Sequence, residues 1–374
     1  MNGQMGSETR HLILIGGGHA HVAVLANWAR HGLPENSRAT LLTPDRFLRY
    51  SGMVPGWISG EHARDEARVD LAGLTRAAGA KLVLDRCVAF DPEARSVLTM
   101  DNGVIGFDVA SIDTGGVARA AKVLGDGPRL IDVRPIDSFV DRIAQLPGAQ
   151  NIAVIGGGAG GVEIAFAMRN RASEGSKPDV TLIAGDSGLL SSFSYPVQRK
   201  VRRELAAQNI TLIEEKARFE DGELVAGSRS LEPVDAVIGA VGSGAPDWPR
   251  AGGLQCDERG FIAVSSHMRS LSHDYIFAVG DVASRQDRFV AHSGVHAVMA
   301  GPVLAANLRC AMAGLPTRQS YRPRRYSLYL LSTGTGEAIA SYGPLAAKGR
   351  WVSRLKAWID KRWIARYAAL SSGS

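Results

Sequence analysis

Cysteine is scarce. Three residues in 374, Cys87, Cys256 and Cys310, lie far apart and form no Cys-x-x-Cys spacing. A disulfide framework and a thiolate zinc site are thereby excluded, no metal site is expected, and the thiols suit the reduced state of a cytoplasmic protein. No unbroken run of about 18 apolar residues occurs, so no helix is expected to span a bilayer. No secretory leader is expected either: Met1 to Arg10 is polar and leads straight into an apolar strand. What remains is an ordinary globular balance, 45% hydrophobic and 21% charged, with length for two to three packed units. Glycine is plentiful, 43 residues, and falls in short turns. The net charge of +6 fits nucleic acid, an anionic membrane surface or an anionic cofactor, and the position of the charge has to decide.

The first glycine turn follows the apolar run Leu12-Ile-Leu-Ile15 and reads Gly16-Gly17-Gly18-His19-Ala20-His21. A helical run from Val22 to Trp28 comes next, which is the strand–glycine–helix context of a dinucleotide turn. Gly16 lets the strand turn sharply, and Gly18 lets the backbone approach a pyrophosphate whose charge rests on the helix N-terminus. His21 stands where a third glycine is expected. Either the helix packs further from its strand, or His21 takes a local polar role. The next strand, Ala39 to Leu42, ends in Thr43-Pro44-Asp45, so Thr43 holds the place of the usual ribose-binding acid.

The second turn, after Ile152-Ala-Val-Ile155, has all three glycines in place: Gly156, Gly158 and Gly161. Its next strand, Val180 to Ile183, ends in Ala184-Gly185, without an acid for a ribose or an arginine for a 2′-phosphate. A second nucleotide fold follows from the pattern, but NAD as its ligand does not. Two such turns about 140 residues apart imply two Rossmann-like domains.

Three further segments carry a family likeness. Asp108 to Gly116 is a strand that ends in Thr114-Gly115, Ala236 to Gly242 is its echo, and Tyr275 to Asp281 is an apolar strand that ends in Gly280-Asp281. With the first glycine turn these resemble the FAD-binding motifs of the pyridine nucleotide-disulfide oxidoreductase superfamily. Within it the chain resembles type II NADH dehydrogenases, and most of all the NADH dehydrogenase-like flavoprotein domain often fused to selenide, water dikinase. Those marks are Gly-Gly-Gly-His-Ala-His-Val, Tyr50-Ser-Gly-Met-Val-Pro-Gly56, Gly301 to Asn307, Leu331 to Thr335 and the Trp-rich end. These residues hold no counterpart of the kinase half of such fusions, so selenium chemistry is expected at most as a partnership.

The resemblance implies an α/β fold of two Rossmann-like dinucleotide-binding domains. An FAD domain at 1–125 and 270–325 would be interrupted by an NAD(P)-type domain at 145–268, with 326–374 a C-terminal α/β segment ending in an amphipathic helix. It places the cofactor on Gly16, Gly17, Gly18, His19, Ala20, His21, Thr43, Pro44, Pro55, Val88, Thr114, Gly115 and Gly280, with Asp281 on the ribityl chain. Gly156, Gly158 and Gly161 would take the second nucleotide. Glu163 is expected near flavin and nicotinamide as a proton relay, and His296, at the start of a helix aimed at the flavin, is a second catalytic candidate. Paired cysteines, which disulfide reductases and sulfide:quinone reductases use, are missing. The expected activity is FAD-dependent oxidation of a reduced donor, NAD(P)H or another, with a quinone-like acceptor. A flavin redox partner or sensor linked to selenium metabolism or a membrane complex is the other reading.

Residues 348–367 hold seven cations (Lys348, Arg350, Arg354, Lys356, Lys361, Arg362, Arg366) against Asp360, a net +6 that equals the charge of the whole chain. Trp351, Val352, Leu355, Trp358, Ile359 and Trp363 fall on one broad side of a helix. That composition suits peripheral contact with a cytoplasmic membrane face, or a helix packed on the FAD domain with a solvated basic side. The charge has no nucleic-acid motif with it, so no nucleic-acid partner is expected.

Overall fold

The run Leu12-Ile-Leu-Ile15 is apolar throughout because its two faces are buried in different places. In the computed structural model, which describes residues 9–146, 148–171, 177–231 and 233–371, Arg10–Ile15 is the central strand of a parallel sheet. Residues 1–8 of the polar leader and 372–374 of the tail lie outside the described residues. Leu12 and Leu14 pack with Val22, Leu25 and Trp28 of the first dinucleotide helix, His19–His31. Ile13 and Ile15 pack on the other side with Phe90, Val97, Ile262 and Val264. The sheet order, by strand, is Ile276–Ala278, Val109–Ile112, Arg10–Ile15, Ser37–Thr43, Lys81–Leu84.

The second unit repeats the scheme. Its sheet runs Leu130–Asp132, Ala236–Gly239, Asn151–Ile155, Asp179–Ile183, Thr211–Ile213. Ile152 and Val154 again face one core and Ala153 and Ile155 the other. The second dinucleotide helix is Ala159–Arg169. Two boundaries differ from the sequence expectation. This unit's sheet begins at Leu130, before residue 145, because a three-residue strand closed by Pro135 is too short to show a period. Residues 248–268 leave it early: Trp248, Leu254, Ile262 and Val264 pack into the core of the first unit.

The long helix Gly294–Met312 belongs to the first unit. By length and mean hydropathy, 1.2 over 18 residues, it could cross a membrane, although polar residues interrupt its apolar run. Here it packs on the first dinucleotide helix, and a Cβ on Gly301 would lie 2.6 Å from that of Ala23. Three antiparallel strands, Leu328–Ser332, Ala338–Tyr342 and Leu345–Gly349, then lead into the C-terminal helix Arg350–Ser371. Its inner face is Val352, Asp360, Trp363 and Tyr367, which lie eight, three and four residues apart and so on one side of the helix. Trp351 and Trp358 point outward, 58% and 59% exposed, so the single broad side read from the sequence is split.

Candidate active site

A glycine is required at the third position of the second turn: a Cβ on Gly161 would sit 2.0 Å from the Gly156 carbonyl oxygen. In the first turn the same position is His21, which is fully buried. Its Nδ1 lies 2.6 Å from the Gly16 carbonyl oxygen and its Nε2 2.8 Å from the Ser111 hydroxyl. Burial pushes the ring down to about pKa 4, so it is neutral. A carbonyl only accepts, hence Nδ1–H donates to Gly16 and Nε2 accepts from Ser111. Of the two readings of His21, the local polar role is the one realised.

Around this turn the structure gathers several of the residues singled out in the sequence. Gly16 has φ +92°, and a Cβ there would meet the Asp113 carbonyl oxygen at 2.5 Å. Thr43 is buried with its hydroxyl beside Gly17, while Pro44 is exposed. Thr114 and Gly115 follow the strand Val109–Ile112, and Gly280 (φ +73°) and Asp281 follow Ile276–Ala278, its neighbour in the sheet. Val88 lies at the far end, 38% exposed, beside a Cys87 thiol that burial pushes up to about 12 and so keeps unreactive. Asp281 is buried and accepts a 2.7 Å hydrogen bond from Arg134, which the sequence reading did not mark. Arg134 stands two residues after the strand Leu130–Asp132 of the second unit.

An anionic dinucleotide fits here. The first helix starts at Gly18, which offers no side chain of its own as a cap, and has no acid within its first turn. The second helix starts at Gly158, which, like Gly160, faces open space. No acid stands at Ala184, and the carboxylate of the next strand end, Glu214, is taken by Leu189 N–H at 2.8 Å and by Arg202 at 2.7 Å.

The other half of the site is a cluster of shielded charges where the two units meet the C-terminal helix. Glu163, in the second dinucleotide helix, accepts a 2.9 Å bond from Ser332 N–H. Burial raises its pKa, and Lys356 and the Ser332 bond only partly oppose this. Ser332 Oγ donates to Glu61 at 3.3 Å. Lys356 Nζ donates to Gly52 O at 2.8 Å and to Asp360 at 3.1 Å. Burial alone would lower the Lys356 pKa, but Glu163 and Asp360 more than offset that and leave it raised. Tyr50 is pushed up by burial and by Asp360, and its ring stacks on Trp363 at 4.5 Å. His19 lies 5.4 Å from Trp363 and 5.7 Å from Tyr50, so it links this cluster to the glycine turn.

Pro55 is buried in the short helix Val54–Ile58, three residues after Gly52. His296 is placed differently. Its Nδ1 lies 2.8 Å from the Tyr321 hydroxyl, in a small cavity with Met268, Gly280, Arg285 and Ala297, and burial lowers its pKa. Lys356, Asp360, Glu61 and Arg134 were missed in the sequence because their partners are tertiary. One signal was there: Asp360 is the single acid in a tail of seven cations, four residues after Lys356.

Residues 10–301 match the family described as pyridine nucleotide-disulphide oxidoreductase. The chain is 24% identical over 294 residues to NADH dehydrogenase-like protein YutJ of Bacillus subtilis, covering 73% of this chain and 76% of that protein. It is 24% identical over 298 residues to ferroptosis suppressor protein 1 of Taeniopygia guttata, covering 74% of each. Among solved structures, the sulfide:quinone oxidoreductase of Aquifex aeolicus superposes with a TM-score of 0.77 at 18% identity, over 96% of this chain and 92% of that one.

Proposed function

The chain belongs to the pyridine nucleotide-disulphide oxidoreductase family, and from that premise we propose that it is an NADH dehydrogenase-like enzyme whose acceptor is a quinone. The coarser activity, flavin-dependent oxidation of NAD(P)H, goes with the family. FAD supplies two-electron chemistry when bound, taking a hydride equivalent and passing its electrons on. Gly16 to Ala20, Thr43, Thr114, Gly115, Gly280 and Asp281 would hold it, and Gly156, Gly158 and Gly161 would take the nicotinamide nucleotide.

The observation that carries the quinone reading is the Glu163–Lys356–Asp360 cluster. Reducing a quinone to a quinol consumes protons, whereas a one-electron protein acceptor needs none. A shielded carboxyl with a raised pKa, 2.9 Å from a backbone donor and facing a lysine, can hold a proton to higher pH than an exposed glutamate and release it on demand. In this reading Glu163 is the proton donor and Lys356, which stays charged, steadies its ionised form between turnovers. His296, tied to Tyr321, positions the start of its helix.

The test is anaerobic stopped-flow mixing with NADH and, in parallel, NADPH, followed by a soluble quinone. The yellow band should bleach with one nucleotide and return with the quinone. A band that stays at millimolar levels of both nucleotides would mean that the vacancy at Ala184 is decisive and the donor is not a nicotinamide.

Membrane contact rests on the outward face of the C-terminal helix and the strand before it. Trp351, Trp358 and Leu345 (68% exposed) stand there among Arg350, Arg354, Lys361 and Arg362. Indole beside guanidinium suits an anionic headgroup layer. Vesicles rich in phosphatidylglycerol should sediment the protein, and a Trp351→Ser/Trp358→Ser variant should bind at least about tenfold more weakly, the equivalent of ~1.4 kcal/mol. Equal binding of both forms would remove these residues from any lipid contact.

A further inference from the structure

The first dinucleotide helix solves its N-terminal problem in an unusual way. With Gly18 at the N-cap, the first-turn N–H groups need an acceptor from elsewhere. Asp113, directly after the strand Val109–Ile112, supplies it: Oδ2 accepts from Ala20 N–H at 2.8 Å and from His21 N–H at 3.1 Å. The same carboxyl lies between the two glycine turns of the FAD site. A Cβ on Gly18 would come within 2.3 Å of its Cγ, and one on Gly280 within 2.7 Å of its Oδ1. Asp113 is 3% exposed. An acid side chain thus holds the N–H groups to which a dinucleotide turn offers a pyrophosphate.

We infer that FAD seats at this turn only when the Asp113 carboxyl is protonated, so that FAD uptake consumes one proton. The inference rests on the FAD reading above. An ionised carboxylate and a pyrophosphate beside one helix end would repel each other in a shielded site, whereas a neutral carboxyl can donate its O–H to a phosphate oxygen.

The groups that face Asp113 leave its charge uncompensated. On the glycine turn, His21 is neutral with both ring nitrogens engaged, and burial pushes His19 down to about 4. After the neighbouring strand stands Asp281, a second acid, and Arg134, just after the strand Leu130–Asp132 of the second unit, is hydrogen-bonded to that residue. On the helix Gly294–Met312, which meets Gly280 through Ala297, burial lowers the pKa of His296. Burial raises the Asp113 carboxyl to about 7, with the two N–H bonds opposing and Asp281 adding to the rise. The proton is therefore exchanged in the working range.

The sign follows from linkage. Below about pH 7 the free site is already protonated and affinity is flat; above it, each pH unit costs about tenfold in affinity. Holoprotein diluted to low concentration at pH 6 to 9 should show this as rising fluorescence of released FAD, with Kd climbing about tenfold per unit above pH 7. Asp113→Asn, which keeps the shape but cannot ionise, should give a Kd independent of pH. The infrared spectrum of the holoprotein at pH 8 should show a protonated carboxyl band that the variant lacks. A flat wild-type Kd, or a variant that keeps the slope, overturns the proposal. Wild-type protein that retains no FAD at any pH would overturn the FAD reading instead, and the two failures are distinct.

Discussion

Glu163→Gln should reduce the quinone turnover of the enzyme by about 10²-fold or more, within the usual range for loss of a general acid, while leaving anaerobic bleaching by the nucleotide unaltered. Glutamine keeps the bond from Ser332 N–H, so the local packing stays as it is. It cannot carry the proton. The split between the two half-reactions is what distinguishes proton delivery from a general loss of structure, which would slow both. The pH profile gives a second readout. Burial raises the Glu163 pKa, so its donor form persists to higher pH than in an exposed glutamate and is lost as pH rises through the raised value. Wild-type turnover should therefore fall on the alkaline side, and the variant should lack that limb. Unchanged steady-state turnover in Glu163→Gln would mean that the acceptor takes its protons elsewhere.

Lys356→Met should be among the most destabilising single changes in the molecule. The lysine side chain is 16% exposed and donates to Asp360 and to Gly52 O, with the Glu163 and Glu61 charges close by. Removing the cation of a shielded pair costs about 3–5 kcal/mol, because the remaining carboxylates have lost their counter-charge. With a urea slope of a few kcal/mol per molar, the unfolding midpoint should drop by roughly 1 M. Lys356→Arg, which keeps the charge, should lose much less. The gap between Met variant and wild type should narrow as pH falls, since Glu163 then takes a proton in the folded state and needs no partner. In wild type the raised lysine pKa keeps the pair intact through neutral pH, and its contribution disappears only as pH rises through that raised value. A variant with an unaltered urea midpoint would show that solvent already balances these charges.

Both nucleotide folds could be read from the sequence because each rests on local chemistry: a continuous apolar strand, glycines at the turn, then a helix. Leu12-Ile-Leu-Ile15 and Ile152-Ala-Val-Ile155 carry that signal without help from the rest of the chain. His21 could be flagged but not resolved, since Ser111, its partner, is 90 residues away. The limits of the second unit could not be read, because strands of three residues such as Leu130–Asp132 and Ile262–Val264 show no period. The C-terminal helix was legible as a helix and misleading as a face. Its tryptophans look alike in sequence, yet Trp363 stacks on Tyr50 while Trp351 and Trp358 face outward. Composition gave the charge of the tail; only the fold shows that Lys356, one of its seven cations, is turned inward.

That inward turn sets an order on biosynthesis. Glu163 and Glu61 leave the ribosome well before Lys356, on the order of ten seconds or more at the usual pace of synthesis. Until the last helix arrives, the two nucleotide units have every strand they need but no cation for those acids and no Trp363 against Tyr50. The nascent chain can therefore fold both sheets and still lack a finished reaction chamber. A chain cut short near residue 350 would carry the glycine turns and Glu163 without Lys356 and Asp360, and quality control that samples such products would meet exposed carboxylates where the complete protein presents a closed seam.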